Sequence, residues 1–429
     1  GTQYTLDKDF GIRQIQDRQG NTLQFSHNGI SHSGGWTLTF TRDATGKITR
    51  ITGPGGQSLH YHYDAAHNLT SVTDPSGATS DYRYDNPQQP HSLTSYTDPL
   101  GRLLLQTTYD DAGRITHQTD AQGHTLDIHT DNAAQQQTIK DRNGHSTHYT
   151  FDHRGNVTQV TDPLGGTTHY TYDAQDNETT TTDPLGRTTT RSYDAYGQVT
   201  SETDPLGRQS TTVYNTQGDI TSTTDPAGHT STNSYDSSGQ LTHITDAAGQ
   251  TTALDYTNSG SLSRITDPAG HATHYHYATL HGTPLKQSET APDGTTTQYT
   301  YDPAGSPTAP APSHGALRQT SNPLGHSHHY TYDNLGALHS VTDPLGQATT
   351  YTWNGQNQLL SQTDALGHTT HYGYDLAGRR TTRTLPSGHS ETLGYDSEGR
   401  QTSHTAFDGS PTSYQYDTGG QLSQTTRSD

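Results

Sequence analysis

Histidine is unusually frequent in this sequence and is the first residue type to consider for chemistry. The chain has 28 histidines in 429 residues. One set follows a glycine at a regular position: His124, His145, His229, His271, His326, His368 and His389. Closely spaced histidines can bind zinc or copper. Arg, Gln and Thr also occur at this position, and no cysteine or fixed acidic residue recurs with the histidines, so we expect no metal and no other cofactor.

A response to mild acid is the second chemistry that the histidines suggest. The formal net charge is −20 when they are neutral, and protonation of all 28 would change it to +8. Histidine titrates near pH ~6.5. We hypothesise that mild acid loosens or re-associates the protein. The alternative is a set of exposed histidines that switch nothing.

The recurrent aspartates are the residues that could form catalytic carboxylate pairs. Asp194 and Asp204 instead occupy positions where a tight turn favours a short side chain that bonds to its own backbone. A residue that recurs in nearly every repeat indicates a structural role. No phosphate-binding loop, nucleophile elbow or zincin motif is present. We therefore predict that the protein is not an enzyme.

These aspartates belong to a 21-residue repeat that organises the sequence. Its two recurrent words are Thr-Asp-Pro-x-Gly and Tyr-x-Tyr-Asp. The glycine of the first word keeps a fixed spacing, at Gly123, Gly144, Gly165, Gly186, Gly207, Gly228, Gly249 and Gly270, and again at Gly325, Gly346, Gly367, Gly388 and Gly409. A fixed period of this kind is typical of an array in which one small unit is stacked many times.

The stretch from residue 186 to residue 207 shows the expected unit. It holds two short runs rich in Thr and Tyr, which favour strands. Each run is followed by a four-residue word that fits a type I turn, with Asp first and Gly fourth. The repeat is therefore predicted to be a hairpin of two antiparallel strands. The residues expected to form such turns include Asp183, Pro184, Gly186, Asp204, Pro205, Gly207, Asp343, Pro344 and Gly346.

Tyrosines two residues apart mark one face of the first strand. Stacked repeats would align them as an aromatic ladder. The pairs are Tyr61 and Tyr63, Tyr170 and Tyr172, Tyr330 and Tyr332, and Tyr372 and Tyr374. The apolar residues of the second strand are three apart, as in Val157 and Val160, which is not a strand period. Either a bulge restores the face or both faces are partly covered.

The composition bounds the architecture. Only 25% of the residues are hydrophobic, which is too little for a thick core and favours a thin or hollow structure. The absence of cysteine excludes disulfides and thiol chemistry. The acidic balance argues against a nucleic-acid partner, and no apolar run approaches the ~20 residues of a membrane helix. Because the sequence contains no methionine, we expect a piece of something longer.

The repeat also sets the expected domain boundaries. Residues 1–42 are predicted to be looser lead-in or capping repeats, and residues 43–429 to be the repeat array. Two stretches longer than the norm, Asp85–Gly101 and Ala278–Gly294, are predicted to be longer hairpin loops. The Pro/Ala-rich stretch at residues 306–313 is predicted to be an inserted, exposed loop. Three glycosylation sequons in one repeat column are interpreted as coincidence unless the host glycosylates: Asn68, Asn156 and Asn177.

The words Thr-Asp-Pro-Leu-Gly-Arg at residues 182–187 and Tyr172-Asp173, at a 21-residue pitch, resemble the YD repeats of Rhs proteins. Similar repeats occur in the C component of insecticidal Tc toxins, in bacterial wall-associated proteins and in teneurins. The resemblance covers about residues 43 to 425. It implies an all-β fold in which about 16–17 hairpins form a long antiparallel β-strip that spirals into a partial or complete hollow shell.

In bacterial members of that family the shell encloses a C-terminal toxin, often delivered by a type VI secretion system or a Tc translocation channel. The resemblance implies a structural shell segment of an exported effector that carries a toxin polypeptide in bacterial competition. Its partners would be the toxin cargo, the remainder of the shell and a secretion apparatus or translocation channel. Exposed strand edges could add self-association. We expect no nucleic-acid partner and no membrane span.

Two other functions remain open at this point. One is a secreted or cell-surface adhesion or filament protein whose Tyr and Thr rows bind glycans or partner chains. The other is a fragment of a self-cleaving protease. Shells of the family usually end in Asp-Pro-x-Gly-Leu, where aspartates cut the toxin free, whereas here Leu never follows Asp-Pro-x-Gly. We therefore expect a middle piece of such a shell, or a shell without its cargo.

Overall fold

The computed structural model describes residues 3–8, 11–17, 21–33, 35–53, 56–280, 283–302, 315–333 and 336–427. Across these residues the regular secondary structure consists of forty β-strands and no helix. The all-β, hairpin-repeat fold expected from the sequence is therefore confirmed. Thr and Tyr fill the strands, while Asp, Pro and Gly fill the turns between them, as the preferences of these residues dictate.

The first twenty strands are β1 (Gln3–Asp7), β2 (Gly11–Gln16), β3 (Thr22–Ser26), β4 (Gly29–His32), β5 (Thr37–Arg42), β6 (Ile48–Thr52), β7 (Ser58–Tyr63), β8 (Leu69–Thr73), β9 (Thr79–Arg83), β10 (Ser95–Thr97), β11 (Leu103–Tyr109), β12 (Ile115–Asp120), β13 (Thr125–Asp131), β14 (Gln136–Lys140), β15 (Ser146–Phe151), β16 (Val157–Thr161), β17 (Thr167–Tyr172), β18 (Glu178–Thr182), β19 (Thr188–Tyr193) and β20 (Val199–Thr203).

The second twenty are β21 (Gln209–Tyr214), β22 (Ile220–Thr224), β23 (Thr230–Tyr235), β24 (Leu241–Thr245), β25 (Thr251–Tyr256), β26 (Leu262–Thr266), β27 (Ala272–Leu280), β28 (Thr283–Thr290), β29 (Thr296–Tyr301), β30 (Leu317–Ser321), β31 (Ser327–Tyr332), β32 (Leu338–Thr342), β33 (Ala348–Trp353), β34 (Leu359–Thr363), β35 (Thr369–Tyr374), β36 (Arg380–Thr384), β37 (Ser390–Tyr395), β38 (Gln401–Thr405), β39 (Pro411–Tyr416) and β40 (Leu422–Arg427).

The chain divides into two compact units. The first contains Gly1–His62, Thr73–Gly77 and Ser210–Tyr351, and the second contains Tyr63–Val72, Ala78–Gln209 and Thr352–Asp429. Within the second unit, strands next to each other in sequence pair antiparallel, as in β15 with β16 and β16 with β17. The same holds in the first unit, as in β25 with β26 and β26 with β27. Each unit is thus built from consecutive hairpins.

A β-bulge explains the three-residue spacing of the apolar residues. In the β15–β16 hairpin Val160 lies opposite Tyr149, and Val157 lies opposite Phe151, so Thr158 is the extra residue. Its hydroxyl donates to the Thr150 carbonyl at 3.2 Å. Val157 and Val160 consequently share the face of two aromatic residues that are two apart. Of the two alternatives that the sequence left open, the bulge is the one present.

The units contain no hydrophobic core of the usual kind. Among the described residues, no hydrophobic side chain is buried. The buried polar residues are Asn68, Ser95, Asp98, Thr107, Ser288, Asp302 and Thr412. Each repeat is therefore a thin layer whose apolar face is only half covered, and its backbone ladders and side-chain hydrogen bonds take a large share of the stabilisation.

One of the two predicted long loops is wrong. Residues 278–280 and 283–286 belong to paired strands, because Ala278 pairs with Leu285 and Thr279 pairs with Pro284. The extra residues lengthen β27 and β28 beyond the usual five or six residues, to nine and eight. Thr, Leu and Lys can continue a ladder, and Pro284 lies near its end, where a missing N–H is tolerated. The other stretch does contain a loop, which lies between β9 and β10.

Candidate functional site

The carboxylates at the turns are the most regular polar feature of the molecule. At Asp204 the backbone closes a turn with Gly207 N–H donating to the Asp204 carbonyl at 2.9 Å, and Gly207 has a φ of 77°. One carboxylate oxygen of Asp204 accepts the N–H groups of Leu206 and Arg208, both at 2.9 Å. Each such carboxylate therefore bonds to the backbone of its own turn, which is the arrangement of an Asx-type cap.

The other predicted turn residues have the same geometry. Asp183 accepts backbone N–H groups at 3.0 and 2.9 Å, and Asp343 accepts them at 2.9 and 2.8 Å. Gly186 and Gly346 have φ values of 78° and 79°. Pro184, Pro205 and Pro344 lie at the second turn position. The aspartates are thus engaged in turn closure.

In several turns the residue after the fourth turn position donates to the second carboxylate oxygen. Arg208 Nε lies 2.7 Å from Asp204 Oδ2, His229 Nδ1 lies 2.9 Å from Asp225 Oδ2, and Asn177 Nδ2 lies 2.9 Å from Asp173 Oδ2. The sequence interpretation missed this acidic partner because it lies four residues before the histidine, on the far side of the turn. The column accepts Arg, His and Asn because each supplies a donor.

These hydrogen bonds hold the pKa of several turn carboxyls below its ordinary value. For Asp204 the largest cause is the side-chain bond from Arg208, followed by the Arg208 backbone N–H. For Asp225 the backbone N–H of His229 lowers the pKa most, and the imidazole adds to it. Burial raises the pKa of Asp152, but bonds from Asn156 and Arg154 outweigh it and bring the pKa to about 2. These carboxylates are charged under all ordinary conditions.

The second tyrosine of each pair connects one repeat to the previous one. The Tyr172 hydroxyl donates to the Val157 carbonyl at 2.8 Å, fifteen residues earlier, and Tyr332 bonds to Leu317 in the same way. The same fifteen-residue bond is made by Tyr193, Tyr235, Tyr256, Tyr301, Tyr374, Tyr395 and Tyr416. Tyr109 bonds to the Leu93 carbonyl, sixteen residues earlier. The acceptor lies beside the bulge, where the ladder is disrupted.

The paired tyrosines lie half-buried on one face of their strands, as the alternation of exposure shows in β7, β17 and β31. Desolvation raises the pKa of Tyr170, Tyr172 and Tyr332. The sequence gives no indication of the hydroxyl–carbonyl bond, because its acceptor is a backbone atom at a position with no fixed residue type. Only the donor tyrosine can be recognised in the sequence, from the recurring Tyr-Asp word.

Asn68 heads a small buried polar cluster in the second unit. Its amide nitrogen donates to Asp64 Oδ2 at 3.0 Å and to the Pro90 carbonyl at 2.7 Å, while its amide oxygen lies 2.7 Å from His91 Nδ1. The loop between β9 and β10 thus folds back onto an earlier turn. A glycan on Asn68 would require these bonds to break, which agrees with the interpretation of this sequon as coincidence.

The second unit also contains a contact between turns that are far apart in sequence. We call the turns that begin at residues 98, 120, 141, 162, 183 and 204 the DP turns, and those that begin at residues 354, 375, 396 and 417 the late YD turns. Hydrogen bonds join the first three DP turns to the first three late YD turns, between residues 253 to 258 positions apart, and Leu164 of the fourth DP turn lies against Gly419 of the fourth late YD turn. The turn tips of one segment therefore line up with those of another.

The best-buried side chain of this edge contact is Asp98, which is 2% exposed. Its Oδ2 atom accepts from Gln356 Nε2 at 2.5 Å and from Arg102 Nε at 2.8 Å. Burial raises the pKa of Asp98, but the Arg102 bonds and charge outweigh it, so the pKa lies below its ordinary value. The Asp98 carboxylate, at the end of the row, thus accepts hydrogen bonds from its own turn and from a turn far away in sequence.

The remaining tips use different chemistry at each position. Gln122 accepts from Arg379 at 3.2 Å, and the Arg142 backbone N–H donates to Glu398 at 2.6 Å. Ser397 bonds to Asn143. Leu164 lies against Gly419 so closely that a Cβ there would stand 2.8 Å from Leu164 Cδ1. The edge contact is therefore specific in shape and in hydrogen bonding.

No cluster of metal-ligating side chains accompanies these features in the described parts of the chain. There, no group of three or more His, Cys, Asp or Glu side chains is placed to hold a metal ion. The described residues also form no helix that could cross a membrane. What the geometry offers is a repeated scaffold with two rows of turn tips.

Sequence comparison with protein families gives ten matches to the RHS repeat, at residues 42–79, 63–86, 91–125, 132–167, 151–188, 193–230, 235–272, 332–360, 353–392 and 395–429. These matches cover most of the sequence. The chain belongs to the RHS repeat family. None of the curated proteins matches its sequence significantly.

Solved structures agree with the RHS assignment at the level of fold. The chain is similar to the complex TcdB2-TccC3, with a TM-score of 0.65, 15% identity and coverage of 98% of this chain and 30% of that one. For TcdB2-TccC3 without its hypervariable C-terminal region, the TM-score is 0.62 and the identity 14%, with coverage of 100% of this chain and 34% of that one. For a Tc holotoxin pore from Photorhabdus luminescens, the TM-score is 0.50 and the identity 14%, with coverage of 92% of this chain and 26% of that one. The RHS chain thus spans about a third of the length of these structures.

The domain boundaries expected from the sequence remain predictions. Five strands, β1 to β5, lie in the described part of residues 1–42, and the strands after them carry the regular repeat. The first RHS match begins at residue 42. The Pro/Ala-rich stretch at residues 306–313 lies outside the described residues.

Proposed function

We propose that this RHS chain is a non-catalytic wall segment of a toxin shell, in which the β-strip encloses and carries a toxin polypeptide. The observation that carries the proposal is the edge contact of the second unit, where tips about 255 residues apart meet and bond. A strip that docks on itself edge to edge can form a continuous wall. The fold shared with TcdB2-TccC3 supports the same role.

The chemistry of the wall suits an enclosure. No hydrophobic side chain is fully buried in the described residues, so the layer is thin, and its faces are rich in Thr, Ser and His. A polar surface would hold an unfolded polypeptide without binding it tightly, and a hydrogen-bonded wall would exclude proteases. The cargo, the rest of the shell and an export or translocation apparatus would be its partners. We place its action outside the producing cell.

The test is protease protection of a cargo. A short unstructured reporter is fused after residue 429, and its digestion is compared with that of the free reporter. We expect protection in the fusion, and loss of protection when the edge contact is opened with Leu164→Asp and Glu398→Lys. The control is Leu366→Asp, a leucine at the equivalent tip position outside the edge contact, which should keep the reporter protected.

Electron micrographs of the unfused chain give an independent readout. A particle with internal volume supports the wall. A solid rod or polymer, together with equal digestion of fused and free reporter, would overturn the proposal and favour the adhesion or filament function.

A further inference from the structure

The first unit contains an open cavity between two neighbouring hairpins, β25–β26 and β27–β28. Its volume is about 690 Å³, which lies within the range of roughly 300–1,000 Å³ that is usual for small-molecule sites. The walls are formed by strands β25, β26 and β27, by the turn at residues 257–259, and by the end of the long β27–β28 hairpin. All of these walls come from residues 255–284 of one unit, so the cavity does not depend on the edge contact of the other.

The cavity lies where the tyrosine bond between repeats is missing. In the preceding hairpin Tyr256 donates to the Leu241 carbonyl, fifteen residues earlier, at 2.9 Å. Tyr277 holds the same position in β27, but its hydroxyl makes no such bond to Leu262 and has no other partner in the part of the chain that the structure describes. Tyr277 lines the cavity. It therefore offers a hydroxyl that the fold does not use.

The repeat words change at the same place. From residue 43 onward the turn after the second strand aromatic begins with Asp or Asn in the other repeats, whereas here two successive repeats have Thr257 and Ala278. Asp255 is the only acidic residue at its position, between the two aromatic or apolar residues of the word. Departures from a regular pattern are expected where a protein has a function besides its fold.

Asp255 and Arg264 form an ion pair in the wall of the cavity. Arg264 Nε lies 2.6 Å from Asp255 Oδ2, and each side chain is 47% exposed. The other carboxylate oxygen and the two terminal guanidinium nitrogens make no bond within the described residues. The pair thus presents an acceptor next to donors. Two adjacent hydroxyls, one donating to the carboxylate and one accepting from the guanidinium, match this arrangement.

The remaining lining groups are polar and uncharged at neutral pH. They include the imidazoles of His274 and His276, the amide of Asn258 and the hydroxyl of Ser263. Because the ion pair is the only charged part of the lining and its charges cancel, the cavity favours a neutral ligand over an anion or a cation. The rings of tyrosine and histidine combine an apolar face with a polar edge, as a sugar ring does.

We propose that this cavity binds a short neutral oligosaccharide. Asp255 and Arg264 bond to adjacent hydroxyls of one sugar ring, and the Tyr277 hydroxyl bonds to a further hydroxyl of the same or the next ring. The cavity is open to solvent, so the complex is weak, with a dissociation constant in the millimolar range. The inference does not rest on the proposed shell function, because a wall segment and a surface protein could both carry such a site.

Saturation-transfer NMR of the full chain near neutral pH tests the proposal, with maltose, cellobiose, lactose and N,N′-diacetylchitobiose as probes. We expect transfer to at least one of them. For that sugar, Asp255→Asn and Arg264→Gln should each raise the dissociation constant about tenfold, since a hydrogen bond to a charged group is lost. Tyr277→Phe should raise it about threefold. This third variant removes a hydroxyl that the fold does not use, so its folding is unaffected.

Arg50→Gln is the matched control, because Arg50 holds the same exposed position in β6 that Arg264 holds in β26. It should bind the sugar like the wild type, and far-UV circular dichroism should be the same for all variants. Absence of transfer to all four sugars overturns the proposal, as does an equal loss in the Arg50 variant or no loss in the three cavity variants. Preference for a sulfated disaccharide, strengthened by Asp255→Asn, would instead identify an anion site and overturn it too.

Discussion

At the scale of single residues, the tyrosine of the YD word connects repeats through its hydroxyl. Tyr172 bonds to a carbonyl beside the bulge of the preceding hairpin, so it satisfies a backbone group that the disrupted ladder leaves available. A half-buried acceptor that loses its donor costs more than the hydrogen bond alone gains. This explains why the word uses tyrosine and not phenylalanine at nearly every repeat.

Tyr172→Phe tests this role. We expect a loss of about 1 kcal/mol in local stability, since the ring stays and only the hydrogen bond goes. Amide hydrogen exchange in β16 to β18 measures the loss. Tyr170→Phe is the matched control, because this tyrosine of the same pair lies opposite Thr181 and does not bond to the Val157 carbonyl. Equal protection in the two variants would contradict the assignment.

At the scale of the hairpin, the turn glycine sets the backbone and the aspartate caps it. Gly207 has positive φ, and a Cβ there would meet nothing within 4 Å. The preference for glycine is therefore purely conformational. His67, Asp176 and Asn357 occupy the same turn position with φ of 72°, 65° and 60°, which shows that other residues are accepted at a cost.

Gly207→Ala should destabilise its hairpin by about 1–2 kcal/mol, the cost of left-handed backbone for an L residue with no local hydrogen bond to compensate. Gly207→Asn should cost less, because asparagine tolerates this conformation. Hydrogen exchange in β20, with thermal unfolding as a second measurement, separates the two variants. If alanine and asparagine proved equivalent to glycine, the turn would not control the hairpin.

The hairpin also shows where sequence reasoning stops. The turns and the strand character were predictable because they depend on neighbours within four or five residues. The longer β27 and β28 were not, because Ala278 to Lys286 contains a proline and reads as a loop until its partner strand is known. The sequence could not decide between a bulge and two partly covered faces for the same reason, because spacing alone does not say which residue of a strand is unpaired.

At the scale of the whole molecule, the turn aspartates and the histidines titrate in different pH ranges. The turn carboxyls have folded pKa values below the ordinary value of 3.8, as at Asp183, Asp204 and Asp225, and about 2 at Asp152. Groups with a lowered folded pKa stabilise the protein above the unfolded pKa, and that stabilisation is lost as pH falls through the folded value. They contribute nothing to a change between pH 8 and pH 5.

A pH scan from 8 to 2 should therefore show two separate events. The thermal midpoint should fall steeply only below pH ~4, as the turn carboxyls protonate. Between pH 8 and 5, histidine protonation would carry the net charge from −20 toward +8, and we expect sedimentation to report a change in association there. If the thermal midpoint and the sedimentation mass both stay constant down to pH 5, the histidine hypothesis is wrong. The transition at lower pH would then be due to the aspartates alone.

The sequence by itself determined the repeat, the all-β strip and the turn chemistry, because Asp, Pro, Gly and Tyr act through local backbone geometry. Only the tertiary structure decided which distant atoms meet: the carbonyl fifteen residues before each tyrosine, and the tips about 255 residues apart that build the edge contact. Those tips are Gln122, Asn143 and Leu164 at successive turns, so no repeated word marks them. A contact of that kind depends on how the strip returns to itself, which is set by the summed geometry of many hairpins and not by any one of them.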